Sequence, residues 1–259
     1  MVENILEKNK SSATLRALSI LEAIAQSEKP LTATEINAEL NLPKPTIHRL
    51  CSMLEKNGYL QQHIDGRGYV HGSKLSKMAL GVLNNNYMLR IEQHAVLKRL
   101  SDEIGETCNI AIPDGTEIIY FDRVETNLPL RVQFQVNDRV PMHCTASGKL
   151  FLSYLPLSRR RRVIEKLKLK KITENTITDI EQLAEAVENI KKEGVGIDNE
   201  EFVQGMVAVS VPMISSKGHF YGALAMHAPI VRMSLYTCRS KVPQLKTAAR
   251  EIVDLIESL

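Results

Sequence analysis

Three short runs of apolar residues at helical spacing open the chain. In the first, Ala13, Ala17, Ile20, Leu21 and Ile24 share one helix face. The second starts at Leu31-Thr32-Ala33-Thr34-Glu35-Ile36. Thr32 is placed to accept from the Glu35 amide, Glu35 to reach back to the Thr32 amide, and Leu31 to pack on Ile36. This helix runs to Leu40, and Asn41-Leu42-Pro43 breaks it. The third begins near Lys44, where Pro45 is tolerated because first-turn amides have no intrahelical partner. Its Ile47, Leu50, Cys51 and Leu54 fall at i, i+3, i+4 and i+7, and Asn57-Gly58 closes it. With those four turned inward, Pro45, Arg49, Ser52 and Lys56 point outward, flanked by Thr46 and His48.

Next comes "YLQQHIDGRGYVHG", two strand-like runs about an Asp65-Gly66 turn, which predicts a β-hairpin. Three helices with a tight second turn, then a hairpin, make a winged helix-turn-helix. Its third helix is shaped for the major groove, with Arg49, Thr46, His48 and Ser52 as candidates for base edges. Lys44, Lys56 and the wing's Arg67 are the candidates for phosphates. Taken singly, each cation reads better as part of a solvated face than as a DNA contact; the ordered combination carries the prediction. Glu35, Glu39 and Glu55 offset part of the local charge, so one such domain would bind weakly and a dimer reading two half-sites is expected.

Leu75, Met78, Ala79, Val82 and Leu83 form an apolar stripe ending at Asn84-Asn85-Asn86, suited to packing on its own domain or, as favoured here, to a dimer contact. A helix over about 87–105 carries Ile91, Leu97, Leu100 and Ile104. "CNIAIPDGTEIIYFDRV" predicts a hairpin around Asp114-Gly115, and "LRVQFQV" a strand. Residues 146–155, "SRRRRVIEKLKL" and 179–193 predict helices; "MVAVSVPMI" and "FYGALAMHA" predict strands paired about Lys217-Gly218. A sheet with helices beside it fits an α/β ligand-binding domain.

Composition narrows the reading. A length of 259 residues suits two domains, and 44% hydrophobic with 24% charged residues suits packed cores. A net charge of +3 permits a nucleic-acid partner without requiring one. Cys51, Cys108, Cys144 and Cys238 lack paired spacing, which points to reduced thiols in a cytoplasmic protein. No signal peptide, membrane-spanning run or internal repeat is expected. The run "SRRRRVIEKLKLKK" reads as a solvated helix face rather than a nucleic-acid patch. His143, Cys144, His219, His227 and Cys238 have no ligand-like spacing, so neither a metal nor another cofactor is expected.

Residues 14–75, with "LPKPTIHRL" at their centre, resemble the DNA-binding domain of the isocitrate-lyase-regulator (IclR) family of bacterial transcription factors. "MHCTASGKLFLSYLP", "GVGIDNEEFVQGM" and "GALAMHAP" extend the resemblance over nearly the whole chain. It implies a two-domain α/β protein: a winged helix-turn-helix over 1–73, a linker helix for dimerisation over 74–90, and a GAF-like effector-binding domain over 91–259. Family members act as repressors or activators, as dimers or dimers of dimers on palindromic double-stranded operators. The family's effector pocket maps to Ala146, Ser147, Asp198, Ala208, Ala225 and His227. Members that bind small oxo-acids usually have cysteine at the position of Ala208, and serine at those of Ala225 and His227. These departures imply an organic-acid effector larger than glyoxylate or pyruvate, such as an aromatic or sugar acid. The helix start at 146–149 offers amides to an anion, and His227 a hydrogen bond or, if protonated, a charge. Pro45 replaces the family's usual small polar residue, which puts specificity in question more than DNA binding.

Two other classes compete. An enzyme would need a nucleophile pattern, and Ser147 two residues before Lys149 matches none; there is no Gly-x-Ser-x-Gly elbow or P-loop. A ligand-sensing module with impaired DNA binding is countered by the intact turn, basic face and wing.

Overall fold

A computed structural model describes residues 12–27, 29–63, 68–85 and 87–258, with backbone alone at 80–85 and 87–89. The chain divides into two compact units between residues 85 and 86.

The first unit holds α1 (Ala13–Gln26), α2 (Ala33–Leu40), α3 (Lys44–Lys56), β1 (Leu60–Gln62), β2 (Tyr69–His71) and α4 (Ser73–Asn85). The capping box forms as the sequence implies. Glu35 N donates to Thr32 Oγ1 at 3.2 Å, and the Thr32 amide donates to the Glu35 carboxylate at 2.8 Å. Lys29 also pairs with Glu35 at 2.7 Å, and these partners hold its carboxyl down at about 2. Asn41 ends α2 in the left-handed region, φ 50°. Ala17, Ile20, Ala23, Ile24, Leu31, Ile36, Ile47, Leu50, Cys51, Leu54 and Leu60 form one core, which burial of their apolar surface stabilises. Ala13 is exposed, and Ala23 takes its expected place on the buried face.

β1 and β2 pair antiparallel, and Leu31 adds a bridge to Tyr69 that ties the wing to the α1–α2 connection. The wing's turn at Asp65-Gly66, and Arg67 with it, lie outside the described residues. On α4, Met78 is 52% exposed and Ala79 is also exposed, whereas Leu75 is half-buried; the Val82 and Leu83 side chains lie outside the description.

The second unit comprises α5 (Tyr87–Ile104), β3 (Thr107–Asp114), β4 (Glu117–Val124), β5 (Arg139–Pro141), α6 (Ala146–Tyr154), α7 (Leu157–Lys166), α8 (Ile180–Glu193), β6 (Gly196–Asn199), β7 (Met206–Ile214), β8 (Phe220–Pro229), α9 (Leu235–Ser240) and α10 (Val242–Glu257). The sheet runs β5-β4-β3-β8-β7-β6, antiparallel throughout. Alternation gives it two unlike faces. Cys108, Ile110, Val207, Val209, Val211, Leu224 and Met226 form a common core with Leu97 and Leu100 of α5 and Leu245 and Ile252 of α10. The opposite face carries Asn109, Ala208, Ser210, Ala225 and His227, and α6 packs over it. Ile91 is 46% exposed, so the expected apolar face of α5 starts later; Gln93 is buried instead.

The strand expected at 130–136 does not form. Residues 131–135 have no regular structure, and β4 takes its edge partner from β5. Val132, Phe134 and Val136 are half-buried while Gln133 and Gln135 are exposed, so the alternation reports burial of a loop and not strand pairing. The basic run also departs from a wholly solvated face. Arg160 is buried; its Nη1 donates to Glu188 of α8 at 2.6 Å and its Nη2 to the Ser153 carbonyl of α6 at 2.8 Å. Among the described residues, no helix is long and apolar enough to cross a membrane.

Candidate nucleic-acid interface and effector pocket

Because Ile47, Leu50, Cys51 and Leu54 anchor α3, its other face is free. Lys44, Pro45, His48, Arg49, Ser52 and Lys56 are exposed, and Thr46 is half-buried beside them. The α3 N-cap is Pro43, which makes no side-chain cap bond. Thr46 N and Ile47 N both donate to the Pro43 carbonyl, at 2.8 and 3.1 Å. The Lys44 amide is left at the positive end of the helix, where phosphate is favoured. No ion pair engages Lys44, Arg49 or Lys56 among the described residues. The surface thus presents available cations, hydroxyls and an imidazole along one helix face, the donor set that a major groove accepts.

In the second unit, the polar face of the sheet is organised in rows across the strands. Arg123, Asn109, Ala225, Ser210 and Gly196 are in register from β4 to β6. Beside them run Thr107, His227, Ala208 and Asp198. Thr145 caps α6 above this floor, donating to the Pro141 carbonyl at 2.8 Å and accepting from Gly148 N at 3.2 Å. Two glycines permit the close approach. A Cβ on Gly148 would strike the Met142 carbonyl, and one on Gly196 both the Ala146 carbonyl and Ser210 Oγ. The Ala146 and Ser147 amides sit in the first turn of α6, where amides have no intrahelical partner.

Asp198 Oδ1 accepts from Glu201 N at 2.8 Å and Phe202 N at 3.4 Å. Burial raises its carboxyl to about 7, against the opposing pull of Lys149. Lys149, itself buried, pairs with Glu201. His227 Nε2 lies 2.5 Å from Asn109 Oδ1. Burial, then the nearby Arg123 cation, lowers its imidazole to about 3. Those effects favour the neutral imidazole, and the ring meets Asn109 as a hydrogen-bonding group.

The structure thus groups Asp198, Ala208 and His227 in one row, places Ala225 in the next, and sets Ala146 against Gly196. Ser147 is buried one position further along α6. Sequence reading missed Asn109, Tyr120, Arg123 and Ser210 on the same face. The polar residues inside otherwise apolar strands at "TCNIAI" and "VAVSV" were the available signal. A groove of about 420 Å³ lies between α7 and α8 and shares none of these residues. Among the described residues, no cluster of His, Cys, Asp and Glu side chains is placed to hold a metal ion.

A winged helix-turn-helix followed by a domain with an enclosed polar sheet face is the architecture of a ligand-responsive DNA-binding regulator. Residues 13–63 match the IclR helix-turn-helix domain, and residues 82–254 the C-terminal domain of bacterial IclR transcriptional regulators. The chain belongs to the IclR family of bacterial transcriptional regulators. It is 36% identical over 248 residues to the probable transcriptional regulator SauR of Cupriavidus necator, covering 96% of this chain and 98% of that one. It is 27% identical to the regulator KdgR of Escherichia coli, covering 93% and 91%. Among solved structures, the Thermotoga maritima IclR aligns with a TM-score of 0.61 at 28% identity, over 97% of this chain and 98% of that one. The inducer-binding domain of an Acinetobacter PobR double mutant, in complex with 3-hydroxybenzoic acid, aligns with a TM-score of 0.58 at 28% identity, over 62% and 95%.

Proposed function

We propose that this regulator works as a homodimer, or a dimer of dimers, on a palindromic operator beside a catabolic operon, and that an organic acid bound in its second domain changes operator occupancy. In this reading residues 1–73 bind DNA, 74–90 join the protomers, and 91–259 sense the effector. Arg49, Thr46, His48 and Ser52 read base edges; Lys44, Lys56 and Arg67 hold phosphates; Pro45 packs against the duplex at the start of α3. Ala146, Ser147, Asp198, Ala208, Ala225 and His227 bound the effector. The observation that carries the reading is the outward face of α3, whose cations have no ion-pair partner among the described residues. The exposed Met78 and Ala79 on α4 support a dimer contact. The PobR domain's aromatic acid supports an effector of that class.

Linkage requires that the effector prefer one of two protein geometries, differing in how the two recognition helices are spaced. The chain works by binding, with no chemical step, and in the cytoplasm, where its operator is. Selection of bound genomic fragments with purified protein at physiological salt tests this. Enrichment of a short palindrome upstream of a catabolic operon is expected. No enrichment, with or without a metabolite extract, would shift the function to ligand sensing with impaired DNA contacts, and Pro45→Ser would be the first reversion.

A further inference from the structure

The polar face of the sheet holds a second set of groups that the mapped pocket does not use. Asn109 Nδ2, Tyr120 Oη and Arg123 Nη1 are buried and have no hydrogen-bond partner among the described residues. Asn109 is 0%, Tyr120 2% and Arg123 8% exposed. Buried donors without partners are rare in folded proteins, and three together call for an explanation.

Their proximity is built by a β-bulge. Asn109 pairs with Arg123 and Ile110 with Asp122, but Ala111 pairs with Tyr120, so Phe121 is an extra residue in β4. In a regular strand, residues 120 and 123 would point to opposite faces; the bulge brings both to the Asn109 side. The Arg123 guanidinium accordingly lies 5.5 Å from the Tyr120 ring and 5.8 Å from that of Phe134. Tyr120 meets His227 edge-on at 6.1 Å, and His227 in turn holds Asn109. Phe134 stacks on Phe202 at 5.6 Å, which follows Asp198 in the chain and links this cluster to the mapped pocket.

The rest of Arg123 is fixed. Its Nη2 donates to the Val132 carbonyl at 2.6 Å, and its Nε to Glu125 at 3.4 Å, a carboxylate that also takes Arg131 at 2.9 Å. The guanidinium is therefore aimed, with Nη1 left over. Glu125 is shared between two cations, so positive charge remains on this side of the sheet. The other ionisable side of the floor is Asp198, on β6 at the far edge.

We infer that Arg123 Nη1, Tyr120 Oη and Asn109 Nδ2 form a carboxylate seat that anchors the effector by its acid group, directing its other end toward Ser210 and the start of α6. This deepens the effector reading above and rests on it. Asn109 and Ser210 stand two strands apart, about 10 Å between backbones. Only Ala225 lies between them. Ser210 Oγ is likewise buried, with no hydrogen-bond partner among the described residues. The ligand class is thus a carboxylate with a flat or slender body and a hydroxyl or keto oxygen at the opposite end. Arg123 disfavours a cation at the seat, in keeping with the lowered imidazole of His227.

The test is calorimetric titration of the full-length protein with benzoate, 3-hydroxybenzoate, 4-hydroxybenzoate, 2-oxoglutarate and gluconate, alongside 3-hydroxybenzamide as the neutral counterpart of an acid. At least one acid is expected to bind, and to bind better than its amide. Tyr120→Phe removes a hydroxyl that no protein group uses, so folding is preserved, and it should weaken the acid about tenfold. Arg123→Gln should weaken it about ten- to a hundredfold and erase the preference for acid over amide, with Arg123→Lys recovering part of both. A purely structural role for Arg123 would leave that preference intact. Binding of no acid by the wild type would overturn the seat, as would wild-type affinity and preference in Tyr120→Phe and Arg123→Gln together. The same wild-type preparation is assayed on selected genomic DNA: no acid binding with DNA binding present refutes the seat alone, and acid binding with no DNA binding refutes the regulator reading alone.

Discussion

Replacing Arg160 by alanine tests how the second unit holds its helices together. The guanidinium donates to the Ser153 carbonyl at 2.8 Å and the Leu155 carbonyl at 3.4 Å, near the end of α6, and to Glu188 of α8 at 2.6 Å. Charged hydrogen bonds to buried carbonyls contribute roughly 1.5–3 kcal/mol, and removal leaves the Ser153 carbonyl unsatisfied. The Glu188 pair adds little, roughly 0–1 kcal/mol, because Glu188 is 48% exposed and screened. Arg160 Nε has no hydrogen-bond partner among the described residues, which offsets part of the gain. The net expected loss is about 2–4 kcal/mol. Arg161 is the control: its side chain is 76% exposed and meets Glu165 one turn on, so Arg161→Ala should change stability by less than about 0.5 kcal/mol. Urea unfolding followed by circular dichroism, with hydrogen exchange of α8 peptides to assign the transition, measures both. Equal midpoints for the two variants would show that the run is a solvated face after all, and that Arg160 fastens nothing.

Asp198 ionises at about 7 in the folded chain, against 3.8 as its ordinary value. Its folded value is raised, so the folded state binds more protons between those pH values, and this residue's contribution to stability falls as pH rises from 3.8 to 7. Asp198→Asn keeps an oxygen for the Glu201 amide and should flatten that part of the stability–pH profile, measured by urea midpoints from pH 4 to 8. Gly196→Ala forces a methyl into the Ala146 carbonyl and Ser210, and should destabilise by roughly 1–3 kcal/mol or displace α6, read from the same midpoints.

The first unit was legible because its signals are local. The Thr32–Glu35 box, the i, i+3, i+4, i+7 set on α3 and the Asn57-Gly58 stop each act within a few residues, and Gly58 indeed takes φ +77°. The hairpin of β3 and β4 was equally plain from Gly115, φ +66°. What escaped depends on tertiary partners. The 131–135 segment alternates like a strand because it lies half-buried near Tyr120, yet β5 already occupies the edge of β4. Arg160 looked like its solvated neighbours because the carbonyls that receive it come from the end of a different helix. The bulge at Phe121, which turns Tyr120 and Arg123 to one face, exists only in the pairing of β3 with β4. Ala208 and Ala225 were assigned to the proposed pocket by resemblance; that Asn109, Arg123 and Ser210 share their face of the sheet needed the register of the whole sheet.

The most direct test of the account is the affinity of wild-type protein and Arg49→Ala for a selected palindrome and for random duplex, measured by fluorescence anisotropy across a salt series. The account predicts that wild type prefers the palindrome and that its affinity falls with salt. Arg49→Ala should lose about 1–3 kcal/mol on the palindrome, with a smaller change on random DNA. Equal wild-type affinity for both duplexes, or an Arg49→Ala variant with unchanged affinity and salt slope, would contradict the assignment of α3 as the recognition helix.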